Sequence, residues 1–467
     1  MSDTSIPFAS LLPTPTERPN EFHFQVRRFL TAAYLFLPSL AGATTLQRAP
    51  VQGDSIRLTI ADARTAALRS NPELRAVRTE TAIAQGQLRQ ASAFRFNPGT
   101  DLLGGGTGGS SPEIGLTQEI EIGGQRSART AGARAGVSRA QYSIADALRL
   151  TLAEVDRDFY RTVASDRRAA LAAEVLALNE RLAQVATKQL REGEISKLDY
   201  NLSIVELGRS RARSLSARRE QQQSMIELKR LIGLPSPDPV VAVYDSTVHR
   251  HVIVDSMGTD PHVDFAPFGE AGDTTLAALV VRAVLRRPDL AARNAELTQA
   301  TADVALARRE ALPNLAARLL SQRNEAGTGR TLRPGIGISI PIFNRNHGEV
   351  DARRAMAERV SLERSALVTR VRADVESAMR AYLTAAGEVE VLERTVLGPA
   401  RDNRRLLETA YREGKVGLPV LLLIRNQVSD AEQDYWTAWL AERIAAADLT
   451  AAIGSPLSIE PRNNREQ

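Results

Sequence analysis

The chain has 467 residues, of which 43% are hydrophobic and only 4% aromatic. It has no cysteine, and its net charge is +5 from 60 basic against 55 acidic side chains. The missing cysteine excludes structural disulfides, thiol catalysis, a lipidated cysteine anchor and cysteine-based metal sites. The positive charge is carried almost wholly by Arg and interspersed with Glu and Asp, which argues against a nucleic-acid protein, where basic charge gathers on one face or tail.

Length alone suggests two or three domains, but a composition dominated by Ala, Leu, Arg and Glu favours long helices over a compact α/β enzyme. Residues 1–43 form a signal-peptide region. Arg27-Arg28 precede the short apolar run Phe29 to Leu37, and Ala41-Gly42-Ala43 supplies small residues at a cleavage site. That run is too short to span a membrane. Residues 44–57 are a polar joint, followed by a helix from Leu58 to Ser70. Asn71-Pro72 interrupts it and starts a second helix to about Ala93.

Two strands are expected next, at about 94–103 and 113–122, joined by the loop Gly104 to Ser111. In the second, apolar residues fall on every other position from Ile114 except at Gln118, the period of a strand with one greasy face. The chain then passes Gly123-Gly124 and is helical over about 124–192, without proline. A helix of that size is about 105 Å long, several times the width of a soluble domain. Leu148, Leu152, Val155 and Phe159, then Leu171, Val175, Leu178, Leu182 and Val185, step by four and three as a coiled-coil seam. Gly193 ends it as a C-cap, and a return helix covers about 197–231. Residues 234–274, rich in Pro, Asp and Gly, form a bridge expected at mid-level.

The layout then recurs over 275–454. Pro72, Leu74, Ala76 and Glu80 match Pro288, Leu290, Ala292 and Glu296. Ile114-Gly115-Leu116-Thr117 matches Ile336-Gly337-Ile338-Ser339, Arg191-Glu192-Gly193 matches Arg412-Glu413-Gly414, and Ile232-Gly233 matches Ile453-Gly454. Four anchors in constant order at a period of about 220 residues establish an internal duplication. The second repeat (275–454) is expected to hold strands at about 314–322 and 335–343, a long helix at about 346–413 and a return helix at about 418–453, before a tail at 455–467. Its seam runs Val371, Val375, Ala378, Tyr382, Ala385, Val389, Leu392 and Val396. Gly398-Pro399 is expected to kink that helix, because proline removes a backbone donor and clashes with the preceding turn.

The strand faces constrain the assembly. Ile336, Ile338, Ile340 and Ile342 are aliphatic, whereas Gly335, Gly337, Ser339 and Pro341 between them are small or polar. Four such strands cannot close a membrane barrel, since open edges in hydrocarbon cost several kcal/mol per unpaired group and the smallest barrels need about eight strands. The barrel must be shared among copies. Dimer, trimer and tetramer all satisfy the count, and an open conduit favours three copies or more, because an eight-stranded interior is filled by side chains.

With this layout the chain resembles the TolC family of outer membrane efflux proteins from Leu58 to Gly454. Two motifs, Gln118-Glu119-Ile120-Glu121-Ile122-Gly123-Gly124-Gln125-Arg126 and Pro341-Ile342-Phe343-Asn344-Arg345-Asn346-His347-Gly348, are similar to its CzcC-like cation-efflux branch. The fold implied is mainly α with a small β part. Four strands per chain would join a shared 12-stranded outer membrane β-barrel above a trimeric α-helical periplasmic barrel. The function implied is a passive exit duct, not an enzyme, that carries heavy-metal cations or, as the alternative, drugs and other small molecules. It would sit in the outer membrane and reach into the periplasm. Its partners would be two further copies, outer membrane lipid, a periplasmic adaptor and an inner-membrane pump, with no nucleic acid and no cofactor.

The resemblance also assigns sites. Arg191, Glu192, Gly193 and Glu194, with Arg412, Glu413, Gly414 and Lys415, correspond to adaptor-contact tips. Asp199 and Tyr411 correspond to groups that close the periplasmic aperture. The matching run Val416-Gly417-Leu418-Pro419-Val420-Leu421-Leu422-Leu423 has no acid, so a mainly apolar aperture is expected. Two other patterns carry less. Gly104 to Gly109 fits a dinucleotide-loop spacing, but a strand follows it and no Walker lysine does, which leaves an external hairpin loop. His249, His251 and His262 lie among Asp245, Asp255, Asp260 and Asp264; imidazole with carboxylate suits Zn²⁺ or Co²⁺, yet short linkers also collect such residues. The competing classes are a periplasmic adaptor, which carries one helical hairpin and not two, and a coiled-coil scaffold, which leaves the aliphatic strand faces unexplained.

Overall fold

A computed structural model describes residues 56–103, 113–234, 241–243, 275–323 and 329–454. Along these the elements are β1 (Ile56–Leu58), α1 (Ile60–Ser70), α2 (Pro72–Ser92), β2 (Gly99–Leu103), β3 (Glu113–Ile120), α3 (Gln125–Glu192), α4 (Lys197–Ile232), β4 (Val241–Val243), α5 (Leu276–Arg286), α6 (Pro288–Glu310), β5 (Leu315–Arg323), β6 (Arg330–Ile338), α7 (His347–Val391), a π-helical turn (Leu392–Leu397), α8 (Gly398–Arg412) and α9 (Leu418–Ile453). The signal region, the loop Gly104 to Ser111, the tail 455–467 and His249, His251 and His262 lie outside the described residues.

The short helices start where the sequence provides caps. Thr59 caps α1 in a reciprocal box with Asp62. Asn71 caps α2 through Leu74 N–H at 2.9 Å while its own amide donates to Leu231 O at 2.9 Å. One buried asparagine thus starts a helix and ties it to the end of the return helix α4. In the second repeat the equivalent position is Arg287, whose guanidinium bonds Asp289 and Asp374 at 2.6 and 3.0 Å. It links the start of α6 to α7.

Three apolar clusters hold the helices together. Val155, Phe159 and Val163 of α3 pack with Ala63 and Ala67 of α1, Leu228, Leu231 and Ile232 of α4, and Trp439 of α9. Leu279 and Ala283 of α5, Leu290 of α6, and Val371 and Val375 of α7 pack with Leu449 and Ile453 of α9. The third cluster sits at the hairpin turns. The predicted seam is buried at Leu152, Val155, Phe159, Leu182, Val371, Val375 and Ala385, while Val185 remains exposed.

The four long strands form one antiparallel sheet in the order β2-β3-β5-β6, with β2 and β6 as its edges. Leu116 stands opposite Leu319, which stands opposite Pro334; Thr117 stands opposite Arg318, which stands opposite Gly335. Directly paired residues share a face. One face therefore carries Leu102, Ile114, Leu116, Leu319, Leu332 and Ile336, all exposed. The other carries Asp101, Thr117, Glu119, Arg318 and Arg333.

Several strand boundaries differ from expectation. The first strand covers Gly99–Leu103 and not 94–103, because Pro98 lacks a donor and the Phe96 carbonyl accepts from the Gln118 side chain at 2.9 Å. The second ends at Ile120, beyond which Glu121 turns to Arg129 in a bidentate pair at 2.7 and 3.1 Å. The last strand is Arg330–Ile338 and not 335–343. Its register on β5 runs from Arg323 opposite Arg330 to Leu315 opposite Ile338, so Ile340 and Ile342 fall beyond the ladder and Pro341 cannot extend it. A short parallel pair, Ile56–Leu58 with Val241–Val243, joins the polar segment to the bridge, and it takes Leu58 from the expected first helix, which starts at Ile60 after the Thr59 cap.

The second long helix runs from His347 to Arg412 with one irregular turn inside it. Pro399 sits at the start of α8, where its ring opposes the carbonyl of Thr395. The turn that precedes it, Leu392–Leu397, is π-helical. A wider turn moves that carbonyl aside, which is the form the expected proline interruption takes.

Candidate functional site

The chain presents two candidate surfaces, the helical turns at one end and the sheet with its strand-to-helix joints at the other. At the turns, Gly193 and Gly414 are both left-handed, with φ of 77° and 72°. Glu194 N–H returns to Gln189 O and Lys415 N–H to Ala410 O, each at 2.9 Å, closing both helices with the same Schellman-type cap. Arg191, Glu192, Gly193, Glu194, Arg412, Glu413, Gly414 and Lys415 are all exposed. Lys415 pairs with Glu413 at 2.6 Å; at this exposure such a pair contributes little to stability.

The two turns belong to one end of the molecule because an apolar cluster joins them. Leu182 and Ala186 of α3 meet Leu407 of α8 and Leu418, Leu421 and Leu422 of α9, with Ile195, Val416 and Tyr411 packed around them. Three leucines of the acid-free run 416–423 are therefore tip core, while Val420 and Leu423 stay exposed. Tyr411 is half-buried against this cluster, and its carbonyl accepts Gly414 N–H at 3.0 Å. Asp199 is half-buried at the start of α4. Its backbone N–H donates to the Ser196 hydroxyl at 3.1 Å and its carboxylate accepts from that hydroxyl at 2.8 Å, so it is tied to Ser196, the residue that caps α4.

At the opposite end, each long helix leaves its strand through a left-handed residue, Gly124 with φ 75° and Asn346 with φ 61°. These occupy matching places in the two motifs singled out above. The last turns of α6 hold both joints: Arg309 Nη1 donates to Gly124 O at 2.7 Å and Asn346 Nδ2 donates to Ala307 O at 2.8 Å. Asn314 Nδ2 donates to Glu119 Oε1 at 2.7 Å, and Arg126 donates to Ser92 O at 2.6 Å while lying over the Phe94 ring. Gln118, Glu119, Glu121, Gly124 and Arg126 thus build a strand-to-helix joint. The composition of the motif showed its position, and only the contacts show this role.

Sequence reasoning missed the buried pair between α1 and α3. Arg64 Nε and Nη2 donate to the two carboxylate oxygens of Asp156, each at 2.7 Å. Burial raises the Asp156 pKa, against the hydrogen bond and charge of Arg64 and the charge of Arg157. A lone Arg and Asp 92 residues apart give no local signal. Among the described residues, no group of three or more His, Asp or Glu side chains is arranged to hold a metal ion. No helix among them is long and apolar enough to cross a membrane.

The family model described as outer membrane efflux protein matches residues 63–234 and 279–455, the two repeats. The chain is 26% identical over 305 residues to the cobalt-zinc-cadmium resistance protein CzcC of Cupriavidus metallidurans, covering 63% of this chain and 66% of that protein. It is 25% identical over 275 residues to protein CyaE of Bordetella pertussis, covering 56% and 54%. It is 24% identical over 291 residues to the alkaline protease secretion protein AprF of Pseudomonas aeruginosa, covering 58% and 55%. The aligned chain thus spans between about half and two thirds of these relatives' length. Among solved structures, CusC superimposes with a TM-score of 0.68 at 16% identity over 86% of this chain and 94% of that one. The open-state MtrE outer membrane channel of Neisseria gonorrhoeae superimposes with 0.68 at 19% identity over 85% and 89%. The fold is that of these outer membrane channels.

Proposed function

Since this chain belongs to the outer membrane efflux protein family, we propose that it is the passive exit duct of a tripartite efflux system. Three copies pool their strands into one twelve-stranded outer membrane barrel, and their helices extend that barrel into the periplasm. The observation that carries this reading is the sheet: four strands whose two edges have no partner among the described residues, aliphatic on one face and polar on the other. Alone in hydrocarbon its edges would be left unpaired. In a closed ring the aliphatic face meets lipid, and Thr117, Glu119, Arg318 and Arg333 line a wet lumen.

The tips Arg191 to Glu194 and Arg412 to Lys415 meet a periplasmic adaptor, which couples the duct to an inner-membrane pump. Asp199 and Tyr411, close to those tips, narrow the aperture together with the exposed Val420 and Leu423. The substrate is a heavy-metal cation. The supporting observations are the likeness to a protein named for cobalt-zinc-cadmium resistance and the CzcC-like joint motifs. The likeness to AprF, named for protease secretion, keeps a wider range of cargo as the second reading. A duct of this kind performs no covalent chemistry.

Purified protein in a planar lipid bilayer is expected to conduct ions; a detergent-free monomer without conductance would overturn the duct. A deletion strain is expected to lose tolerance to Zn²⁺, Co²⁺ or Cd²⁺. Loss of tolerance to hydrophobic drugs alone would overturn the cation assignment and leave the duct standing.

A further inference from the structure

Each return helix ends on a left-handed glycine that abuts the first short helix of its own repeat. A Cβ at Gly233 would strike Ser70, the last residue of α1, and a Cβ at Gly454 would lie 2.9 Å from Arg287 Cγ, just past the end of α5. In the first repeat the chain beyond this glycine goes on to β4, whose partner β1 immediately precedes α1. Its path therefore leads from the end of α1 back to the start of that helix, where the β1–β4 pair closes it.

The outer sides of these two short helices differ. Leu279 and Ala283 of α5 are buried in the second apolar cluster, as Ala63 and Ala67 of α1 are in the first. Away from the clusters, and counting from Ile60 and Leu276, Asp62, Thr65 and Arg69 of α1 correspond to Ala278, Val281 and Leu285 of α5. Val281 is 58% exposed and Leu285 79%. Residues spaced by three and four share one side of a helix, so α5 turns an apolar stripe outward where α1 is polar. A shallow groove of about 470 Å³ follows that stripe past Ala277, Ala278, Val281 and Leu285, with Arg282 and Arg286 also in its wall. A second cavity, of about 580 Å³, has Arg286, Pro288 and Gly454 in its wall. Arg286 borders both, so the two adjoin and connect Gly454 to the stripe.

We infer that residues 455–461, which leave Gly454 beside this path, lie along α5 as a strap and cover its apolar stripe. Position, spacing and charge select this occupant. Leu457 is the third residue after Gly454, and three extended residues reach about 10 Å. In Ser455-Pro456-Leu457-Ser458-Ile459-Glu460-Pro461, Leu457 and Ile459 stand about 7 Å apart on one side of an extended chain. Leu285 and Val281, four residues apart on a helix, are separated by about 6 Å along its axis. Running from the end of α5 toward its start, the strap sets Leu457 on Leu285 and Ile459 on Val281, in the direction the first repeat's chain takes past α1. The α5 helix has Arg282 and Arg286 and no acid, and Glu460 of the strap supplies one. The contact lies within one chain and does not depend on the shared pore.

The chain has no cysteine, so introduced cysteine pairs report the register. The whole protein carrying Leu285→Cys with Leu457→Cys, or Val281→Cys with Ile459→Cys, is mildly oxidised; a disulfide requires Cα atoms within about 7 Å. Both pairs are expected to close within single chains, seen as a cross-linked peptide at unchanged chain mass, while the mismatched pair Leu285→Cys with Pro461→Cys stays reduced. In parallel, Leu285→Cys alone is labelled with a water-soluble maleimide. Labelling should be roughly tenfold slower in the whole chain than in one stopped after Gly454, the factor for a strap seated about nine-tenths of the time. Reduced thiols in both matched pairs, or a mismatched pair that closes equally well, overturn the strap. A band of twice the chain mass overturns it too, because it puts a second copy on the stripe, and so does labelling that is equally fast with and without residues 455–467. The cross-links are read in the whole chain, so they decide the matter even where the shortened chain fails to fold.

Discussion

The glycines at the ends of the helices separate a conformational cost from a steric one. Gly193 at the tip and Gly233 at the end of α4 have nearly the same backbone, with φ of 77° and 72°. A side chain at Gly193 would meet nothing within 4 Å, whereas a Cβ at Gly233 would lie 2.5 Å from the Ser70 carbonyl oxygen and 2.8 Å from its carbon. Gly193→Ala therefore carries only the left-handed penalty, about 1–2 kcal/mol. Gly233→Ala carries that penalty plus a clash with backbone that cannot rotate away; adding about 1–3 kcal/mol for overpacking gives roughly 2–5 kcal/mol. Asparagine sharpens the distinction because it tolerates the left-handed region. Gly193→Asn should recover most of the loss at the tip, and Gly233→Asn should recover little, since the offending atom is the Cβ that both residues share. Urea titrations of detergent-solubilised protein followed by far-ultraviolet circular dichroism measure all four variants. If Gly233→Ala is no worse than Gly193→Ala, or Gly233→Asn restores stability, then the α4 end does not abut the α1–α2 joint and the packing described above is wrong.

Three further outcomes are expected. Arg64→Leu leaves the Asp156 carboxylate buried without its bidentate partner and should cost about 3–5 kcal/mol near neutral pH, whereas the double variant Arg64→Leu/Asp156→Leu should be far milder. The Asp156 pKa is already raised by burial and rises further without Arg64. The folded state then binds the proton more tightly than the unfolded state, so stability is lost as pH rises through the raised value and the single variant's deficit should shrink as pH is lowered; a deficit that grows on acidification would contradict the sign. Asn346→Gly keeps the left-handed joint and loses only the bond to Ala307 O, so it should cost about 1 kcal/mol, and Asn346→Ala should cost more in the same titration. Ser196→Ala removes the cap shared with Asp199 at about 1 kcal/mol and should leave bilayer conductance unchanged, whereas Asp199→Asn should alter single-channel conductance if that carboxylate faces the aperture.

Much of this fold was legible because its signals are periodic or repeated. The steps of four and three along Leu148 to Phe159 and Val371 to Val375 mark buried seams without reference to any partner. The duplication placed the tips through Gly193 and Gly414, which require a positive φ that the sequence can display. The end of a strand has no such mark. Isoleucines alternate from Ile336 to Ile342, but the ladder stops at Ile338 because β5 ends opposite it, and the partner's length is not written in the strand itself. The pair Ile56–Leu58 with Val241–Val243 is too short to show a period. The acid-free run 416–423 read as one apolar surface, yet its leucines divide between tip core and solvent; that division depends on where α3 and α8 lie.

The two repeats have kept their geometry and diverged in chemistry, and the divergence has a direction. Inside the chain, α3 and α9 are joined by Tyr160, Trp436, Trp439 and Arg443, in a protein with very few aromatic residues. Edge-to-face aromatic contacts add about 0.5–1.5 kcal/mol each beyond their burial, so this junction is fixed when one chain folds. At the corresponding places α4 has Leu215, Arg218 and Gln222, all exposed and with no ring among them. The rings thus stand where α3 and α9 of one chain meet, and the matching side of the first return helix keeps only aliphatic, polar and charged side chains in solvent.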